Sequence, residues 1–378
     1  MLMHIRTILT CGLVLLTAAL LACCTAPKGS ARIAALDRAA DEAQAALDSL
    51  WMTGDNYYID VKVRPDDPDF HYWRNAHAAD VLVDGYLRTT DNRYLDRLAA
   101  LHGGMYRMNG NTFSNVYYDD MEWVGLAFLR AYDVTNDPKY RATADSVWAD
   151  IKTAWNDNCG GGMAWRKDQL AYKNTPANMP AVILAARLYT RFGNPDDLAW
   201  ATKIFDWETT HLVDTTTGEV YDGINRLGDG KIDTEWKLTY CQGVYIGGAV
   251  ELYRITGDQH YLERAIRTAD FVTAPNGFFN REGFLKGEGI GDGGLFRGIL
   301  IRYLGELVDV PALPEDKRRL YLDYIAHNAD VLMAANPHDK RIGQSWGAAL
   351  SEDNPQSLGT QLSAIMLLET ASRVAKAH

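Results

Sequence analysis

The feature that most constrains the fold is an alternation of two kinds of predicted helix along the chain after residue 30. Segments of the first kind are apolar on most faces, as in the run Ala181 to Ala186, and such helices are buried. Segments of the second kind carry one apolar stripe, as at Leu262, Ala265 and Ala269, which predicts a helix that packs a single face on a core. The apolar helices are predicted at roughly 77–90, 120–135, 177–193, 240–257, 293–308 and 358–374, and the polar ones at roughly 31–51, 92–104, 138–155, 196–211, 259–274 and 315–335.

Similar turn sequences lie between each apolar helix and the polar helix that follows it. They begin at Thr89 (T-T-D-N-R-Y-L), Val134, Arg191 and Ile255. Each supplies a helix stop and then an Asp or Asn that can cap the next helix. Their spacing is irregular, so they mark structural pairs and not strict sequence repeats. With no convincing run of strands, the alternation predicts an all-α fold, an (α/α)6 toroid with six inner and six outer helices.

In such a toroid the inner helices all point the same way, so the loops that enter them share one face. These loops are long and rich in Gly, Asn, Asp, Tyr and Trp, whereas the loops at the other face are short turns. A concave aromatic and polar face opposite a plain one is typical of a binding cleft. The formal net charge of −11 argues against a nucleic-acid groove, while the ten Trp and twenty Tyr suit a sugar-binding surface.

The N-terminus, residues 1–22, is predicted to be a targeting segment and not part of the fold. A short basic start at Arg6 precedes the apolar run Ile8 to Ala22, and the small residue Ala22 lies directly before Cys23. This is similar to a bacterial lipoprotein signal with Cys23 acylated; the alternative is an ordinary signal peptide. We therefore expect a tether at 23–30, an (α/α)6 domain at 31–378, and an exported protein that a lipid anchors to the membrane, facing the periplasm or the cell surface.

Apart from Cys11 in the predicted signal and Cys23 at the predicted lipidation site, three cysteines remain, and they show no C-x-x-C spacing. They predict neither a metal site nor a disulfide framework. The three are Cys24, Cys159 and Cys241.

Two adjacent acids, Asp119 and Asp120, lie directly before the second apolar helix in the stretch N-V-Y-Y-D-D-M-E-W. One interpretation is a helix start, in which Asp119 is the N-cap and Glu122, three residues later, completes a capping box. The other is a catalytic pair. An N-cap position would keep Asp119 ionised, which suits a nucleophile, whereas the neighbouring charge and desolvation would raise the pKa of Asp120, which suits a general acid. The helix dipole opposes that rise.

The spacing of the two acids bears on mechanism. Neighbouring Cα atoms lie about 3.8 Å apart, and side chains splay on a helix, so the carboxyl groups would be separated by about 5–6 Å. Retaining glycosidases need about 5–5.5 Å between their two carboxyl groups, and inverting ones about 6.5–9.5 Å. Adjacency therefore favours retention.

At these residues the sequence resembles glycoside hydrolase family 76, the bacterial endo-α-1,6-mannanases, with relatives among fungal cell-wall transglycosylases. The resemblance covers about residue 31 to the end and rests on Y-Y-D-D-M-E-W and on motifs within 161–178, 240–258 and 295–304. It implies an (α/α)6 fold, endo-acting cleavage of α-1,6-mannosidic linkages by double displacement with retention, and no metal or cofactor. It also implies that Asp119 is the nucleophile and Asp120 the acid/base.

The expected partner is α-mannan or a manno-oligosaccharide, bound by a monomer that takes no nucleic acid. The chain departs from the family pattern at Cys241, where the family usually has Asn, and at Arg297, where it usually has Lys. Both departures leave the preference among mannans open, but they do not affect the assignment of Asp119 and Asp120 as the catalytic pair.

Further candidates for substrate binding each have a structural alternative. Polar residues around the start of the third inner helix could bind sugar hydroxyls or cap that helix. Aromatic residues in the entering loops could stack on pyranose faces or belong to the core. Gln242 and Asp292 lie at inner-helix starts and could orient hydroxyls, although Asp292 could equally serve a glycine-rich turn. The candidates are Tyr118, Trp165, Lys173, Asn174, Asn178, Tyr240, Gln242, Asp292 and Trp346.

Three other functions stay open at this point. A transglycosylase of the same family would use the same residues and differ only in its acceptor. A sugar epimerase or an unsaturated-uronide hydrolase on this toroid would depend on histidines such as His71 and His77, which otherwise are surface or packing residues. A non-catalytic glycan-binding lipoprotein would need the aromatic cleft but not both aspartates.

Overall fold

Twelve α-helices make up most of residues 28–60, 70–337 and 340–378, which are the parts of the chain that the computed structural model describes. They follow the predicted order, and the largest difference in a start is that of α2, which begins earlier than expected. The predicted signal segment, Cys23 and residues 23–27 of the tether lie outside the described residues and stay predictions. The helices are α1 (Lys28–Trp51), α2 (Tyr72–Thr89), α3 (Asn92–Met108), α4 (Tyr118–Thr135), α5 (Pro138–Ile151), α6 (Thr175–Phe192), α7 (Pro195–His211), α8 (Thr239–Thr256), α9 (Gln259–Thr273), α10 (Gly293–Val308), α11 (Glu315–Ala335) and α12 (Leu358–Ala377).

The even-numbered helices form a closed inner ring. Each packs on the next, from α2 through α4, α6, α8 and α10 to α12, and α12 packs back on α2. The outer helices α3, α5, α7 and α9 each pack on the inner helix that precedes them, α11 packs on α10 and α12, and α1 packs chiefly on α12. The predicted (α/α)6 toroid is therefore confirmed.

Burial follows the hydrophobic pattern that distinguishes the two rings. In α6 every residue from Thr175 to Leu188 is buried, whereas in the outer helix α9 burial follows the stripe that includes Leu262, Ala265 and Ala269. Each fully buried Leu or Ile side chain stabilises the fold by about 1.5–3 kcal/mol relative to exposure, so the ring is held mainly by these contacts. Within the described ranges, none of these helices combines the length and hydrophobicity needed to cross a bilayer.

Four tight turns connect inner to outer helices on the plain face, as the sequence predicted. Their first residues are left-handed, and their second residues cap the following helix by accepting a hydrogen bond from the backbone N–H two positions on. These turns reverse the chain within two residues, which leaves the long loops to the opposite face. The turns are Thr90-Asp91, Asn136-Asp137, Gly193-Asn194 and Gly257-Asp258.

Short strands lie within the long loops, where the sequence predicted none. β1 (Ala164–Arg166), β2 (Gln169–Asn174) and β3 (Gly223–Ile224) form an antiparallel sheet in that order, and β4 (Asn280–Arg281) pairs with β5 (Phe284–Leu285). The sheet joins the loop before α6 to the loop before α8, with Lys173 of β2 opposite Ile224 of β3. Strands this short carry too few residues for a period-2 pattern to be read from the sequence.

Candidate active site

The loops that enter the inner helices surround a cleft of about 1080 Å³ on the predicted face. Its walls come from the chain before and at the start of α2, α4, α6, α8 and α10. A single small-molecule pocket is usually roughly 300–1,000 Å³, so this cleft can hold an extended ligand. Eleven of the lining side chains are Trp, Tyr or Phe: Phe70, Tyr72, Trp73, Tyr117, Trp123, Trp165, Tyr172, Trp236, Tyr240, Phe278 and Phe296.

Asp119 and Asp120 both line this cleft, in the first turn of α4. The N-cap of α4 is Tyr117, so the expected capping box with Asp119 as N-cap is wrong: the helix begins before the acids. Glu122 is fully buried and does not line the cleft. Burial and the charge of Asp119 raise the pKa of Glu122 well above its usual value, which fits a protonated structural residue.

Two N–H groups hold the Asp119 carboxylate. The indole Nε1 of Trp165 donates to Oδ2 at 3.0 Å, and the backbone N–H of Asp120 donates to Oδ1 at 3.0 Å. Burial raises the pKa of Asp119 to about 7, against these hydrogen bonds, which favour the ionised form, while the charge of Asp222 adds to the rise. The expectation that Asp119 is simply kept ionised is therefore corrected, because desolvation outweighs its hydrogen bonds.

Asp120 lies in a more anionic position. Burial, then the charges of Asp119 and Asp292, raise the pKa of Asp120 well above its usual value, and Arg74 opposes the rise only in part. A carboxyl group in that environment holds its proton near neutral pH, as a general acid must. The sequence left the net direction of the Asp120 shift open, and in the structure burial and the neighbouring charges raise its pKa.

A third acid of the cleft, Asp222, was missed by the sequence analysis. It follows Val220 and Tyr221 just before β3, well ahead of the helix start where candidates were sought. The Tyr172 hydroxyl donates to its Oδ2 at 2.9 Å, and the Tyr240 hydroxyl lies 3.5 Å from its Oδ1. Burial raises the pKa of Asp222 to about 6. The pairing of β2 with β3 brings Asp222 beside Tyr172 at the cleft, and that pairing had no sequence signal.

Four of the predicted substrate-binding residues do line the cleft: Trp165, Asn174, Tyr240 and Asp292. Tyr240 stacks on Phe296 with ring centroids 3.9 Å apart and planes within 8°. Asp292 accepts hydrogen bonds at Oδ1 from Trp73 Nε1 (3.0 Å) and Arg74 Nη2 (2.9 Å), and its side chain stays 61% exposed. The two hydrogen bonds to Oδ1 fix the Asp292 carboxylate, and its Oδ2 lies in an open position where it can accept a hydrogen bond from a ligand hydroxyl.

The other five lie behind the cleft wall, and their predicted contact with substrate is corrected. Their side chains are buried and support the loops. The Asn178 and Gln242 amides pair with the backbones of Met163 and Val220, and Lys173 Nζ donates to the Gly162 carbonyl at 2.7 Å. An amide or ammonium group that must satisfy a buried backbone is not free for a ligand. The five are Tyr118, Lys173, Asn178, Gln242 and Trp346.

The two departures from the family pattern also lie in the interior. Cys241 is fully buried, with its Sγ 3.7 Å from Asp222 Oδ1, directly behind the cleft. The guanidinium of Arg297 is fully buried 4.1 Å from the ring centroid of Trp346. Cys241 therefore contacts the cleft residue Asp222 but does not itself line the cleft.

The two histidines that an epimerase or a uronide hydrolase would use lie in different environments. His77 is buried between Trp73 and Trp123, at centroid distances of 5.5 Å and 4.6 Å, and burial lowers its pKa to about 3. His77 is thus a neutral packing residue, while His71 lines the cleft. In the three described ranges, no cluster of three or more His, Cys, Asp or Glu side chains is arranged to hold a metal ion.

Comparison with known proteins gives one consistent result. The model of glycosyl hydrolase family 76 matches residues 35–377. The solved GH76A α-1,6-mannanase from Salegentibacter sp. HEL1_6 is 39% identical, with a TM-score of 0.85 over 90% of this chain and 99% of that one. An inactive variant of that mannanase, with two consecutive aspartates replaced, has been solved with α-1,6-mannotetrose. The mannan endo-1,6-alpha-mannosidase DCW1 of Candida glabrata is 25% identical over 86% of this chain and 77% of its own length.

Proposed function

Because the chain belongs to glycosyl hydrolase family 76 and is a glycoside hydrolase, we propose that it cleaves α-1,6-mannosidic linkages within mannan chains. The observation that carries the proposal is the position of Asp119 and Asp120 together in an open aromatic cleft. The 39% identical mannanase, whose variant with two replaced consecutive aspartates is inactive, supports the same reading.

The position of the pair in the fold separates it from another Asp-Asp sequence. Asp196 and Asp197 begin the outer helix α7, and Asp197 accepts a hydrogen bond from Trp148 Nε1 at 2.8 Å. Neither lines the cleft. A third pair, Asp66-Asp67, lies outside the described residues. Among the described Asp-Asp pairs, Asp119-Asp120 is thus the one that a polysaccharide in the cleft can reach.

In the first step, the ionised Asp119 attacks the anomeric carbon of the mannosyl unit, and a glycosyl ester bond forms as the glycosidic bond breaks. Asp120 gives its proton to the departing glycosidic oxygen. The hydrogen bonds from Trp165 and the Asp120 backbone fix the plane of the nucleophilic carboxylate before substrate arrives. Asp120 keeps its proton while Asp119 is ionised, because the charge of Asp119 raises its pKa. As Asp119 loses that charge to the ester bond, the pKa of Asp120 falls and the proton passes to the leaving oxygen.

In the second step, Asp120, now ionised, takes a proton from a water molecule that attacks the same carbon and displaces Asp119. The ester bond breaks, Asp119 regains its charge, and the product has the α configuration of the substrate. Two inversions at one carbon account for retention. The adjacency of the two acids in the first turn of α4 supports this sequence of steps.

The remaining cleft residues provide contacts for the sugar. The Tyr240–Phe296 pair presents an aromatic surface, and Asp292 and Asp222 present carboxylate oxygens that can accept hydroxyl hydrogen bonds. Asn174, whose Oδ1 has no hydrogen-bond partner among the described residues, adds an amide on the same wall. Neutral hydroxyl-rich chains fit this mixture of rings and acceptors.

The test compares single variants on unbranched α-1,6-mannan. Asp119→Asn and Asp120→Asn keep the shape of each side chain but remove the nucleophile or the proton donor. Each should lower turnover by about a hundredfold or more, since one positioned acid or base contributes about 10²–10⁴-fold. Asp196→Asn is the matched control and should retain wild-type turnover, with size analysis of wild-type products showing internal cleavage.

Wild-type-like turnover by both cleft variants would refute the assignment of the pair. Products released only as single mannose units would refute endo action. Adding a manno-oligosaccharide acceptor separates hydrolysis from transfer, because a transglycosylase would release longer chains instead of reducing ends.

A further inference from the structure

Two aromatic rings are exposed on the wall of the cleft formed by the loops before α8 and α10. Trp236 is 45% exposed and Phe278 is 50% exposed, and both line the same cleft as Asp119 and Asp120. Rings of this size usually lose most of their surface to the core or to a ligand. The proposed reaction gives these two exposed rings no role.

Each ring is held in place by cations. The guanidinium carbon of Arg226 lies 4.3 Å from the centroid of Trp236, and Arg226 Nε donates to Asp233 Oδ1 at 3.1 Å. Lys286 Nζ lies 3.5 Å from the centroid of Phe278, and Lys237 Nζ lies 5.8 Å from it. A cation near the face of a ring stabilises that ring's orientation, and about half of each ring's residue surface stays exposed.

The loop that carries Trp236 is ordered by its own hydrogen bonds. Asn225 N–H donates to the Lys231 carbonyl at 2.8 Å, Asp233 N–H donates to the Gly223 carbonyl at 2.8 Å, and Trp236 N–H donates to the Asp233 carbonyl at 3.2 Å. The ring is therefore presented on a braced loop, which lowers the entropic cost of binding a ligand against it.

The cleft wall that carries Trp236 and Phe278 lies across the ring of inner helices from the reacting acids. In the order α2, α4, α6, α8, α10, α12, helix α10 is opposite α4, and α8 is its neighbour. The segments before α8 and α10 thus face the end of α4 that carries Asp119 and Asp120. A chain whose bond is cleaved at α4 must pass this wall if it extends across the cleft.

We infer that Trp236 and Phe278 form a distal shelf that stacks on mannosyl units remote from the bond being cleaved, so that the enzyme favours long α-1,6-linked chains over short ones. This rests on the proposed function. The apolar C–H faces of pyranose rings match the exposed aromatic surface of Trp236 and Phe278. Because the mannan chain is neutral, it does not compete with the Arg and Lys side chains that hold these two rings. The shelf contributes to binding and not to chemistry, since neither ring is among the groups that hold or shift the two reacting carboxyl groups.

The experiment measures kcat/KM of the whole protein for α-1,6-mannohexaose and for α-1,6-mannotriose. Trp236→Ala and Phe278→Ala should each lower kcat/KM for the hexaose by about three- to tenfold, the range for one aromatic contact, and leave the triose value within about twofold. The loss should appear mainly in KM, because the contact is made equally in the ground and transition states. Trp236→Phe should recover most of the hexaose activity.

Leu227→Ala and Ile290→Ala are the matched controls. Both side chains are exposed on the same two loops, at 75% and 51%, but neither lines the cleft. Both variants should behave as wild type on each substrate, and thermal melting should show that all variants fold.

Equal losses on hexaose and triose, or no loss on hexaose in either alanine variant, would overturn the shelf while leaving the proposed function intact. A wild-type protein that cleaves neither oligosaccharide nor mannan would overturn the proposed function itself, and the shelf with it.

Discussion

At the scale of single residues, the bond between Trp165 and Asp119 links the loop before α6 to the reacting carboxylate on α4. The indole Nε1 donates to Asp119 Oδ2 at 3.0 Å, while burial raises the pKa of Asp119 to about 7. A donor that stabilises the ionised form opposes that rise. Trp165 therefore acts as a positioning residue whose loss should be visible in the pH profile.

Trp165→Phe should move the acidic limb of the kcat/KM profile to higher pH. The sign follows from the protonation states: Asp119 must be ionised to attack, and removing a donor to the ionised form raises its pKa. A hydrogen bond to a charged group is worth about 1.5–3 kcal/mol, so kcat/KM below the limb should fall by about tenfold or more. The measurement is kcat/KM against pH on a soluble α-1,6-manno-oligosaccharide.

Trp148→Phe provides the control for this variant. Trp148 also donates its indole N–H to an aspartate, Asp197 at 2.8 Å, but on the outer helices away from the cleft. The limb should not move in Trp148→Phe. A limb at the wild-type position in Trp165→Phe would show that the indole does not set the charge of Asp119.

The sequence predicts a residue of this site when a chemically suitable side chain lies at the start of an apolar helix, and it misses suitable side chains that lie elsewhere. Asp119 and Asp120 were found because they lie side by side at an apolar helix start. Asp222 was missed because a β2–β3 contact, which joins residues about fifty positions apart, brings it to the cleft. Long-range pairings of two residues leave no period in the sequence.

At the scale of helices and loops, the start of several inner helices uses one device. A side-chain amide lies three positions after the first helical residue. In three helices it pairs with the backbone N–H and C=O of one residue in the incoming loop, and in α12 it pairs with the N–H of one loop residue and the C=O of a nearby one. This clamp fixes the base of each loop while leaving its tip to form the cleft. The amides are Asn75 on α2, Asn178 on α6, Gln242 on α8 and Gln361 on α12.

Gln242→Met should lower the free energy of unfolding by about 1–3 kcal/mol. The substitution keeps the shape of the side chain but leaves the buried N–H and C=O of Val220 without the amide, and an unsatisfied buried group costs about that much. Chemical denaturation followed by circular dichroism measures the change. Gln259→Met, at an exposed position on α9, should change stability by less than about 0.5 kcal/mol.

Equal stability of the Gln242 and Gln259 variants would contradict the clamp. The same device explains why Asn178 and Gln242 were predicted as ligand contacts. An amide at the start of an inner helix looks identical in sequence whether it faces a sugar or a backbone. The distinction depends on the side of the helix that the incoming loop covers, which only the folded structure supplies.

At the scale of the whole molecule, a charged network crosses the inside of the ring near its plain face. Arg302 of α10 pairs with Asp84 of α2 at 2.5 Å and with Asp80 at 3.0 Å, and Arg130 of α4 pairs with the same two acids. On the other side, Arg187 of α6 pairs with Glu251 of α8 and Glu306 of α10, both at 2.7 Å. These pairs connect helices that are not neighbours in the sequence and so specify how the ring closes.

Arg302→Met should lower the free energy of unfolding by about 3–5 kcal/mol. Removing one partner from a buried ion network leaves its acids without compensation, which costs far more than the pair itself contributes. Arg373→Met is the control, since its pair with Asp309 is 46% and 27% exposed and should contribute about 1 kcal/mol or less. Both are measured by denaturant unfolding at neutral pH, and similar small losses in the two variants would show that the network does not hold the ring.

The architecture was readable from the sequence to the extent that it depends on repeated local patterns. Helices apolar on most faces alternate with helices that carry one apolar stripe, and an Asp or Asn caps the outer helix at each of four turns. These local patterns predicted the two rings and their common direction. The network around Arg302 was not predicted, because its members come from separate helices and each alone resembles an ordinary surface charge.

The most direct test of the central claim, that Asp119 and Asp120 act as nucleophile and acid/base in this cleft, is the configuration of the first product. Proton NMR of the anomeric region during early hydrolysis of α-1,6-mannan by the wild-type protein should show the α anomer first, before mutarotation, with no such signal from Asp119→Asn. A β anomer appearing first would contradict the account, since it would require a single displacement by water and a different arrangement of the two acids.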